Sequence, residues 1–582
     1  MTERANPAGE KPAFVSGPAD MEGSSDSLFC CKWLRHRVPL AHREELYHIL
    51  RMTVPLLLSR ILNYLLPFVV TMFCGRLGND VMAGYGLASA TINITTAATG
   101  CGLGLACDTL VSQTFGGKNL LRVGVILQRG TIILLLFCLP CWGLLLNAQA
   151  ILLCLGQNPE VSRIAQLYIT AFLPAVPAMF LHQLQVSYLQ NQTDINLSVS
   201  VSHSGSAAAN TLSQIYICTF MFAYIWWKKL HVKTWGGWSR ESLQEWGSYM
   251  KLAFPSTLMT CFEWWVYEFG GFFAGMLSED ELAAQHVVIM VAFITYMFPL
   301  GIQAAACARV GNALGAGDTG RAILTCKMSF ALAGIFAVVE GILLGSTKTV
   351  IGYLFTSDEK IVGLVSHLMN AYCFLQFFDG LVCVCTGIFL GTGKQKIPAV
   401  ANFIGYYCVG LTMSVVLTFV AKLRILGFWL GLLICVVLQS TFYITVIFKL
   451  DWIRMTEEVC CCFSGKSGKF LLKCLFGESI RTLSSGEGDL FVGPEGHNGD
   501  ADTQRGQVVP LKGGRLSTTQ LVLRRGLTAF AAVGLLAVGA TVHFLVPLPE
   551  SQASEANFTL DWINTTYTPH PNLSTELVPI MA

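Results

Sequence analysis

Charged residues are scarce in this sequence. Aspartate, glutamate, lysine and arginine make up 13% of its 582 residues, whereas 53% are hydrophobic. Soluble domains carry roughly 25% charged residues. The composition therefore excludes a soluble enzyme and predicts an all-α protein that crosses a membrane several times. The net charge of +2 carries no information about partners, because the charged residues are segregated into the loops, and no pattern predicts binding to nucleic acid.

Motifs of enzymes and pumps are also missing. The chain contains neither HExxH nor GxSxG, the signatures of metalloproteases and serine hydrolases. Gly465-Lys466-Ser467 resembles the end of a phosphate-binding loop, but Cys460 stands where that loop requires a glycine. The sequence thus predicts neither an enzyme nor an ATP-driven pump, and it predicts no metal and no cofactor.

Twelve apolar segments are long enough to cross a bilayer, which takes about 20 helical residues. They are 48–73, 82–106, 121–146, 165–190, 204–227, 249–276, 281–305, 323–346, 363–390, 397–421, 426–449 and 526–547. The predicted domains are a disordered cytoplasmic segment 1–45, an N-lobe 46–227, an inter-lobe cytoplasmic loop 228–248, a C-lobe 249–450, a disordered cytoplasmic linker 451–525, a C-terminal transmembrane helix 526–547 and an extracellular tail 548–582.

The two lobes repeat each other in sequence. Identical residues recur about 200 positions apart, as in the pairs Pro55/Pro255, Phe73/Phe273, Gly75/Gly275, Leu77/Leu277, Asp80/Asp280, Ala83/Ala283, Gly102/Gly301, Ala106/Ala305 and Gly116/Gly315. Internal repeats of this kind are typical of secondary transporters, which handle substrate between or within their halves. In this register Asn63 takes the place of Glu263, so the carboxylates are concentrated in the C-lobe.

One span of the N-lobe is predicted to be missing. Gln214 pairs best with Gln439, an offset of 225, so the first half has lost about 25 residues. The remaining segment 193–203 is polar and too short to cross as a helix. Basic residues predict a cytoplasmic N-terminus, and three glycosylation sequons predict an extracellular C-terminus. That topology requires an odd number of spans, so thirteen are expected where twelve are counted.

The stretch 261–270 places two carboxylates, Glu263 and Glu268, inside an apolar span. An ionisable residue at such a depth costs at least ~2.5–3.5 kcal/mol, so it normally faces a polar cavity. Trp264 and Tyr267 flank the acids with aromatic faces that attract organic cations. The alternative is a pair of acids satisfied by a neighbouring helix, with the aromatic side chains facing lipid.

Several motifs resemble the multidrug and toxin extrusion family, specifically its vertebrate proton-coupled organic cation antiporters. The motifs are Phe73–Gly78, Ala106–Gln113, Gly124–Gly130, Trp235–Ser239, Glu263–Glu268, Arg309–Asp318 and Leu521–Gly526. The resemblance implies two six-helix lobes around a V-shaped cleft, plus an extra C-terminal helix. It also implies export of small organic cations and drugs in exchange for protons, by a multi-pass protein that is a monomer in the lipid bilayer of the plasma membrane.

The resemblance also assigns site residues. The acid matching Glu263 is essential for exchange in the family, because a carboxylate removed from water can bind either a proton or a cationic substrate. Glu268 either lines the cleft or pairs structurally. Asp379 stands where relatives have a glutamate. Trp264 and Tyr267 are expected in the cleft. Asn93 matches a first-lobe asparagine associated with transport, and an interhelical hydrogen bond is its alternative role.

Two positions depart from the family pattern. Met290 replaces a third C-lobe glutamate, and Arg60 replaces a neutral glutamine of the first span. The loss of the carboxylate at Met290 could alter cation selectivity or reduce turnover. Arg60 could repel a cationic substrate, or it could pair with an acid or line a water-filled cavity. The missing span leaves one serious alternative, a span-deficient isoform or gene model that is retained in the endoplasmic reticulum and does not transport.

Overall fold

The computed structural model describes residues 39–77, 79–191, 207–356, 358–463 and 516–545. Within these ranges the side chains at 59–60, 62–80, 82, 207–210, 279 and 461–463 are left out of the description. All regular structure in the described ranges is helical and no strand occurs there, so the predicted all-α class is confirmed. The segment 193–203, where a span is predicted to be missing, lies outside the described residues.

Within the described residues the N-lobe contains eight helices. They are α1 (Leu40–Leu77), α2 (Asn79–Ile92), α3 (Ala98–Gly116), α4 (Leu120–Leu146), α5 (Ala148–Cys154), α6 (Pro159–Phe172), α7 (Ala175–Asn191) and α8 (Ala207–Trp227). A π-helical turn, Asn93–Ala97, joins α2 to α3. Helices α6 and α7 meet at a bend of 57° and together match one predicted span.

The described parts of the C-lobe and of the C-terminal region contain nine further helices. They are α9 (Trp246–Leu277), α10 (Glu279–Ala316), α11 (Thr319–Thr347), α12 (Glu359–Thr392), α13 (Lys396–Asn402), α14 (Thr412–Val415), α15 (Ile425–Lys449), α16 (Trp452–Phe463) and α17 (Thr518–Leu545). Two π-helical segments, Phe403–Leu411 and Val416–Val420, interrupt the span that begins with α13. Short 3-10 turns lie at Leu230–Lys233, Arg240–Leu243 and Ile351–Leu354.

Each predicted span falls on a helix or a helix pair. Within the described residues, eight helices are long and apolar enough to cross a membrane, and the bent pair α6–α7 would make nine. Helical segments are expected here, since a chain in lipid must satisfy its backbone hydrogen bonds within the segment. The counts of twelve and thirteen spans stay predictions.

Helix boundaries follow local capping chemistry. The Ser278 side chain accepts a hydrogen bond from the Glu281 backbone at the start of α10, and Asp318 does the same for Arg321 at the start of α11. These caps satisfy backbone donors that the first turn leaves unpaired. Helices α10 and α12 end at Gly317 and Gly393, whose positive φ angles of 82° and 76° suit glycine.

Helix α16 corrects the predicted linker, because Trp452–Phe463 is helical within the segment predicted to be disordered. Met455 and Val459 are buried on one face while Arg454 is exposed on the other. The pattern is amphipathic, and with 12 residues the helix is too short to cross a bilayer. Helix α1 also begins earlier than predicted, at Leu40, and α17 begins at Thr518.

The first helix of each lobe begins in the other lobe. Ile49 and Met52 of α1 are buried in a cluster with Ile302 and other C-lobe residues. Trp246 and Tyr249 of α9 are buried in the core of the N-lobe. Residues further along α9 join the C-lobe core, which includes Phe428 and Trp429. The sequence repeat is therefore a structural repeat in which the lobes exchange the starts of their first helices.

The glycines that recur in the repeat hold the lobes together at one end. A Cβ atom on Gly116 of α3 would lie 2.1 Å from the Asn312 backbone oxygen, and one on Gly315 of α10 would lie 2.0 Å from the Gln113 oxygen. Such distances are far below van der Waals contact, so only glycine fits. Deeper in the interface, Gly102 packs against the backbone of Thr257 in the same manner. We call this end of the molecule the closed end.

Buried hydrogen bonds reinforce the closed end. Thr109 donates to the Leu390 backbone oxygen at 2.8 Å, and Gln113 donates to the Gly391 oxygen at 2.9 Å. Gln190 of α7 donates to the Ala304 oxygen at 2.7 Å. Each bond runs from a side chain of the N-lobe to the backbone of the C-lobe, so the contact is polar as well as close.

An ion pair fixes the start of α1 to the C-lobe. Glu45, which precedes the predicted span, is 2% exposed and accepts hydrogen bonds from Arg309 and from Thr325. Burial alone would raise the pKa of Glu45, but hydrogen bonding and charge from Arg309, with help from Thr325 and Arg321, hold it below its ordinary value. The carboxylate therefore stays ionised and the anchor persists at neutral pH.

The glycine contact predicts the effect of adding one methyl group. Gly116→Ala should destabilise the closed end, because overpacking a tight contact costs about 1–3 kcal/mol. Unfolding temperature in detergent and amide hydrogen exchange of segment 105–116 measure the effect. Gly86→Ala is the matched control, since a Cβ there has no atom within 4 Å and alanine favours the helix. Equal unfolding temperatures and equal hydrogen exchange for Gly116→Ala and Gly86→Ala would contradict the close backbone contact at Gly116.

Candidate functional site

Glu263 lies on α9 and is half-buried inside the C-lobe. Its Oε1 atom accepts a hydrogen bond of 2.8 Å from the hydroxyl of Tyr296 on α10. A hydrogen bond to a carboxylate stabilises the ionised form by more than a neutral bond does. Glu263 thus has a defined position and a donor that can compensate its charge inside the lobe.

Tyr296 was missed by the sequence analysis. A tyrosine in the middle of an apolar span needs a hydrogen-bond partner for its hydroxyl. The position of Tyr296 within such a span therefore indicated a polar contact. The identity of that partner depends on how α9 and α10 are rotated against each other. No spacing within one helix contains that information.

Asp379 is the second carboxylate of the site. It lies on α12, is 7% exposed, and receives a weak 3.4 Å hydrogen bond from the hydroxyl of Tyr267. Tyr267 stands one helical turn from Glu263 on the same face of α9. The structure therefore brings Glu263, Tyr267 and Asp379 together on the inner side of α9.

Glu268 lies on a different face of α9. Glu268 lies five positions after Glu263, and on a helix with 3.6 residues per turn two such positions point in different directions. Glu268 is exposed, as is Trp264 one turn before it. Among the described residues Glu268 has no ion-pair partner within 4 Å. The two predicted glutamates therefore occupy two environments, one interior and one accessible.

Trp265 connects the two lobes beside this surface. Its indole nitrogen donates to the Ile94 backbone oxygen at 3.2 Å. Among the described inter-lobe hydrogen bonds, this one lies farthest from the closed end along α9. Beyond it, Glu268, Phe272 and Met276 of α9 are exposed. We therefore place the floor of the cleft that the family resemblance implies at the Trp265–Ile94 contact.

Asn93 lies on the opposite wall at the same level. It is half-buried and opens the π-helical turn Asn93–Ala97, immediately before Ile94. A π turn inserts one residue into a helix and often occurs at functional sites. The structure therefore places Asn93 across the cleft floor from Trp265, although no hydrogen bond of its side chain is described.

A polar network holds α9 in register below Glu263. Asn402 donates to the Met259 backbone oxygen at 3.0 Å and also accepts from Tyr443 at 2.6 Å and from Gln439. All of these groups are buried in the C-lobe. Since Met259 lies one turn before Glu263, the network fixes the carboxylate relative to the lobe interior.

Tyr406 is a further residue that sequence reasoning missed. It is fully buried, and its hydroxyl has no hydrogen-bond partner among the described residues. It lies close enough to interact electrostatically with Glu263 and Asp379. A buried hydroxyl of this kind can serve a water molecule or a bound cationic ligand through water. The Tyr406 hydroxyl is therefore a hydrogen-bonding group of the site to which no described protein group is bonded.

Of the two residues that depart from the family pattern, Met290 has a described side chain and Arg60 does not. Met290 is half-buried on α10, where it offers a flexible apolar side chain instead of a charge. The side chains of Arg60 and Asn63 lie outside the described residues. The carboxylates of the described site are therefore those of α9 and α12.

Comparison with known proteins agrees with this architecture. The family model MatE matches residues 55–215 and again residues 255–416. Multidrug and toxin extrusion protein 1 of Danio rerio is 44% identical over 547 residues, with 88% of this chain and 92% of that protein covered. The human protein of the same name is 40% identical, with 91% and 98% covered.

Solved structures show the same fold. The crystal structure of a eukaryotic MATE transporter superimposes with a TM-score of 0.69 at 24% identity, covering 72% of this chain and 99% of that one. A multidrug resistance MATE family transporter in an outward-facing conformation gives a TM-score of 0.61 at 16% identity, with 71% and 96% covered. The predicted resemblance is confirmed, and the two family matches coincide with the two lobes.

The hydrogen bond between Tyr296 and Glu263 predicts a strong effect of a small change. Tyr296→Phe keeps the ring but removes the donor, and a hydrogen bond to a charged group contributes about 1.5–3 kcal/mol. Initial transport rates of reconstituted protein should fall by about tenfold or more. Tyr353→Phe is the control, because that tyrosine is 55% exposed. A normal rate for Tyr296→Phe would show that the hydroxyl is dispensable.

Proposed function

Because this chain belongs to the multidrug and toxin extrusion family of membrane transporters, we propose that it exports organic cations across the plasma membrane in exchange for protons. The observation that carries this proposal is that two carboxylates, the half-buried Glu263 and the buried Asp379, lie on the inner side of α9, each with a tyrosine hydroxyl as hydrogen-bond donor. A cationic ligand and a proton are the two species that such carboxylates can bind.

Exchange follows from competition at one group. A carboxylate inside the lobe is costly to leave ionised without a counter-charge. A bound proton removes the charge of Glu263, and an organic cation compensates it, so either species stabilises the site. The Tyr296 hydroxyl supports the ionised form while one cation replaces the other. If the protein changes conformation only when a proton or an organic cation compensates the charge of Glu263, then the transport of one species is obligatorily coupled to the transport of the other.

The exposed face of α9 provides the approach to this group. Glu268 and Trp264 lie on that face, beyond the Trp265–Ile94 contact. A carboxylate attracts a cation, and an indole face stabilises it by about 0.5–2 kcal/mol. Glu268 and Trp264 therefore form the entry surface, with Asn93 on the facing wall and Glu263, Tyr267 and Asp379 in the interior.

Charge distribution supports an orientation for the molecule. The loop between the lobes carries Lys228, Lys229, Lys233 and Arg240, and basic loops face the cytoplasm. The loop packs against the start of α4, at Gly124. Because α4 begins just after Gly116 of the closed end, the loop and the closed end lie on the same side of the membrane. The proposed state is therefore closed toward the cytoplasm and open toward the outside, with a cytoplasmic N-terminus.

The central test is transport by this chain under an imposed gradient. Uptake of a labelled organic cation, driven by an outward proton gradient, should be lost in Glu263→Gln, because glutamine cannot exchange a proton. Glu340→Gln is a matched control that removes a half-buried carboxyl group from another C-lobe helix, α11. Gradient-dependent uptake that survives in Glu263→Gln would disprove the exchange role.

The polar segment 193–203 keeps open the alternative that the chain is a span-deficient form that does not transport. The membrane topology of the C-terminus distinguishes this alternative from a folded transporter. A folded transporter at the cell surface should carry glycans on the sequons that begin at Asn557, Asn564 and Asn572. Glycosidase sensitivity and surface labelling measure this in cells that express the chain. Unglycosylated protein confined to the endoplasmic reticulum would instead support the non-transporting form.

A further inference from the structure

Tyr406 is a buried polar residue that the exchange mechanism does not yet use. It lies on the π-helical segment Phe403–Leu411 that follows α13, and π-helical turns often occur at functional sites. Its side chain is 0% exposed, and its hydroxyl has no hydrogen-bond partner among the described residues. Buried hydroxyls are almost always paired, because an unpaired one has lost its water without a replacement. We therefore expect this hydroxyl to have a partner in another state of the protein.

The segment that carries Tyr406 runs beside α9 in the same direction. Asn402, at the end of α13, donates to the Met259 backbone oxygen at 3.0 Å. Further along both elements, the ring centroid of Tyr407 lies 6.4 Å from that of Phe269. Residue numbers thus rise together on the two elements, which makes them parallel.

This register places Tyr406 level with Glu263. Tyr406 follows Asn402 by four positions, and Glu263 follows Met259 by four positions. Four residues make about one turn on either element. Both side chains therefore begin at the same depth above the bond between Asn402 and Met259. In agreement with this, Tyr406 lies close enough to Glu263 to interact with it electrostatically.

Tyr406 and its neighbour Tyr407 point in different directions, as adjacent helix positions do. Tyr406 belongs to the buried cluster that includes Val266, which lies one turn after Glu263. Tyr407 instead packs its ring against Phe269, and no interaction of Tyr407 with a carboxylate of the described residues is found. Only the first of these two tyrosines therefore faces the exchange site.

Glu263 can accept a further hydrogen bond. Its Oε1 atom accepts from Tyr296 at 2.8 Å, whereas Oε2 accepts no hydrogen bond from a described residue. An ionised carboxylate has about four acceptor positions on its two oxygens, and each donor stabilises the charged form. A protonated carboxyl group carries no charge and needs fewer donors. Loss of the proton therefore creates a need for a donor that this state does not show.

The other titratable groups near Tyr406 come from the elements packed around it. They are Tyr267 of α9, Tyr296 of α10, Asp379 of α12 and Cys435 of α15. Tyr267 donates to Asp379 at 3.4 Å, and the Cys435 thiol lies 3.8 Å from the Gln439 side-chain oxygen. Each of these groups has a described partner, whereas the hydroxyl of Tyr406 and the Oε2 atom of Glu263 have none.

We propose that Tyr406 is the second hydrogen-bond donor of Glu263 and donates to Oε2 when Glu263 loses its proton. Tyr296 then donates to one carboxylate oxygen and Tyr406 to the other. Tyr406 acts through Glu263 and is a positioning residue, so this inference rests on the exchange function proposed for that glutamate.

Tyr406→Phe, which removes only the hydroxyl, tests the proposal through a pH profile. Without this donor the ionised form of Glu263 is less stable, so the glutamate keeps its proton to higher pH. The measurement is uptake of labelled tetraethylammonium, whose charge does not titrate, at fixed internal pH. The external pH of half-maximal uptake should rise by about one unit.

Tyr407→Phe is the matched control. It removes a hydroxyl from the adjacent position that also has no described partner, and its pH profile should equal that of the wild type. An unshifted profile for Tyr406→Phe, or equal shifts for the two variants, would overturn the proposal.

Thermal unfolding of the purified full chain in detergent measures the same interaction without transport. At a pH that keeps Glu263 protonated, Tyr406→Phe should be at least as stable as the wild type, because it removes an unpaired hydroxyl. At higher pH its unfolding temperature should fall below that of the wild type, whereas Tyr407→Phe should show no such trend. An unfolding difference that does not depend on pH would contradict the proposal.

A second background identifies the partner of the hydroxyl. In Glu263→Gln, the added Tyr406→Phe change should have no pH-dependent effect on unfolding, because glutamine does not titrate. An effect that persists in this background would assign the hydroxyl to another group and overturn the proposal. Absence of gradient-driven uptake in the wild type would refute the exchange function itself, and the unfolding measurements would still decide whether Tyr406 serves Glu263.

Discussion

The close approach of α3 and α10 is the constraint on which the rest of the architecture depends. Gly116 and Gly315 bring two helix backbones into direct contact, and a side chain at either position would force them apart. Helices that touch at one end and carry full-sized side chains elsewhere must diverge. Along α9, the hydrogen bond from Trp265 to Ile94 is the described inter-lobe bond farthest from this contact, and Glu268 beyond it is exposed. We therefore place the cleft between the lobes at that end of α9.

The sequence contained the information for some of these features and lacked it for others. The recurrence of Gly102 as Gly301 and of Gly116 as Gly315 indicated a repeat, because backbone contact restricts a position to one residue type. The separation of Glu263 from Glu268 also follows from helical geometry alone. In contrast, the partner of Glu263 could not be predicted, since Tyr296 reaches it only for one rotation of α10 against α9. The burial of Ile49 in the opposite lobe is a long-range packing result that apolar periodicity does not encode.

The chemistry of the closed end suits a contact that must open. Thr109, Gln113 and Gln190 donate to backbone oxygens of the other lobe, and each net hydrogen bond contributes only about 0.5–1.5 kcal/mol because water can replace it. An apolar seam of equal area would expose its surface on opening, at about 25 cal/mol per Å². Polar donors on the N-lobe that bond to backbone oxygens of the C-lobe therefore give a closed state that is specific in geometry and modest in free energy.

Helix α9 joins this contact to the exchange site within a short distance. Thr257 lies against Gly102, Asn402 holds the Met259 carbonyl, and Glu263 follows one turn later. Six residues of helix span about 9 Å, and over that length the backbone hydrogen bonds keep the segment rigid. In the proposed exchange mechanism, a displacement of Glu263 on binding a proton or a cation moves Thr257 against Gly102 or strains the Asn402 network. Under that proposal the same rigid element connects the charge state of the site to the contact that closes the cleft, and the mechanism needs no separate relay between the lobes.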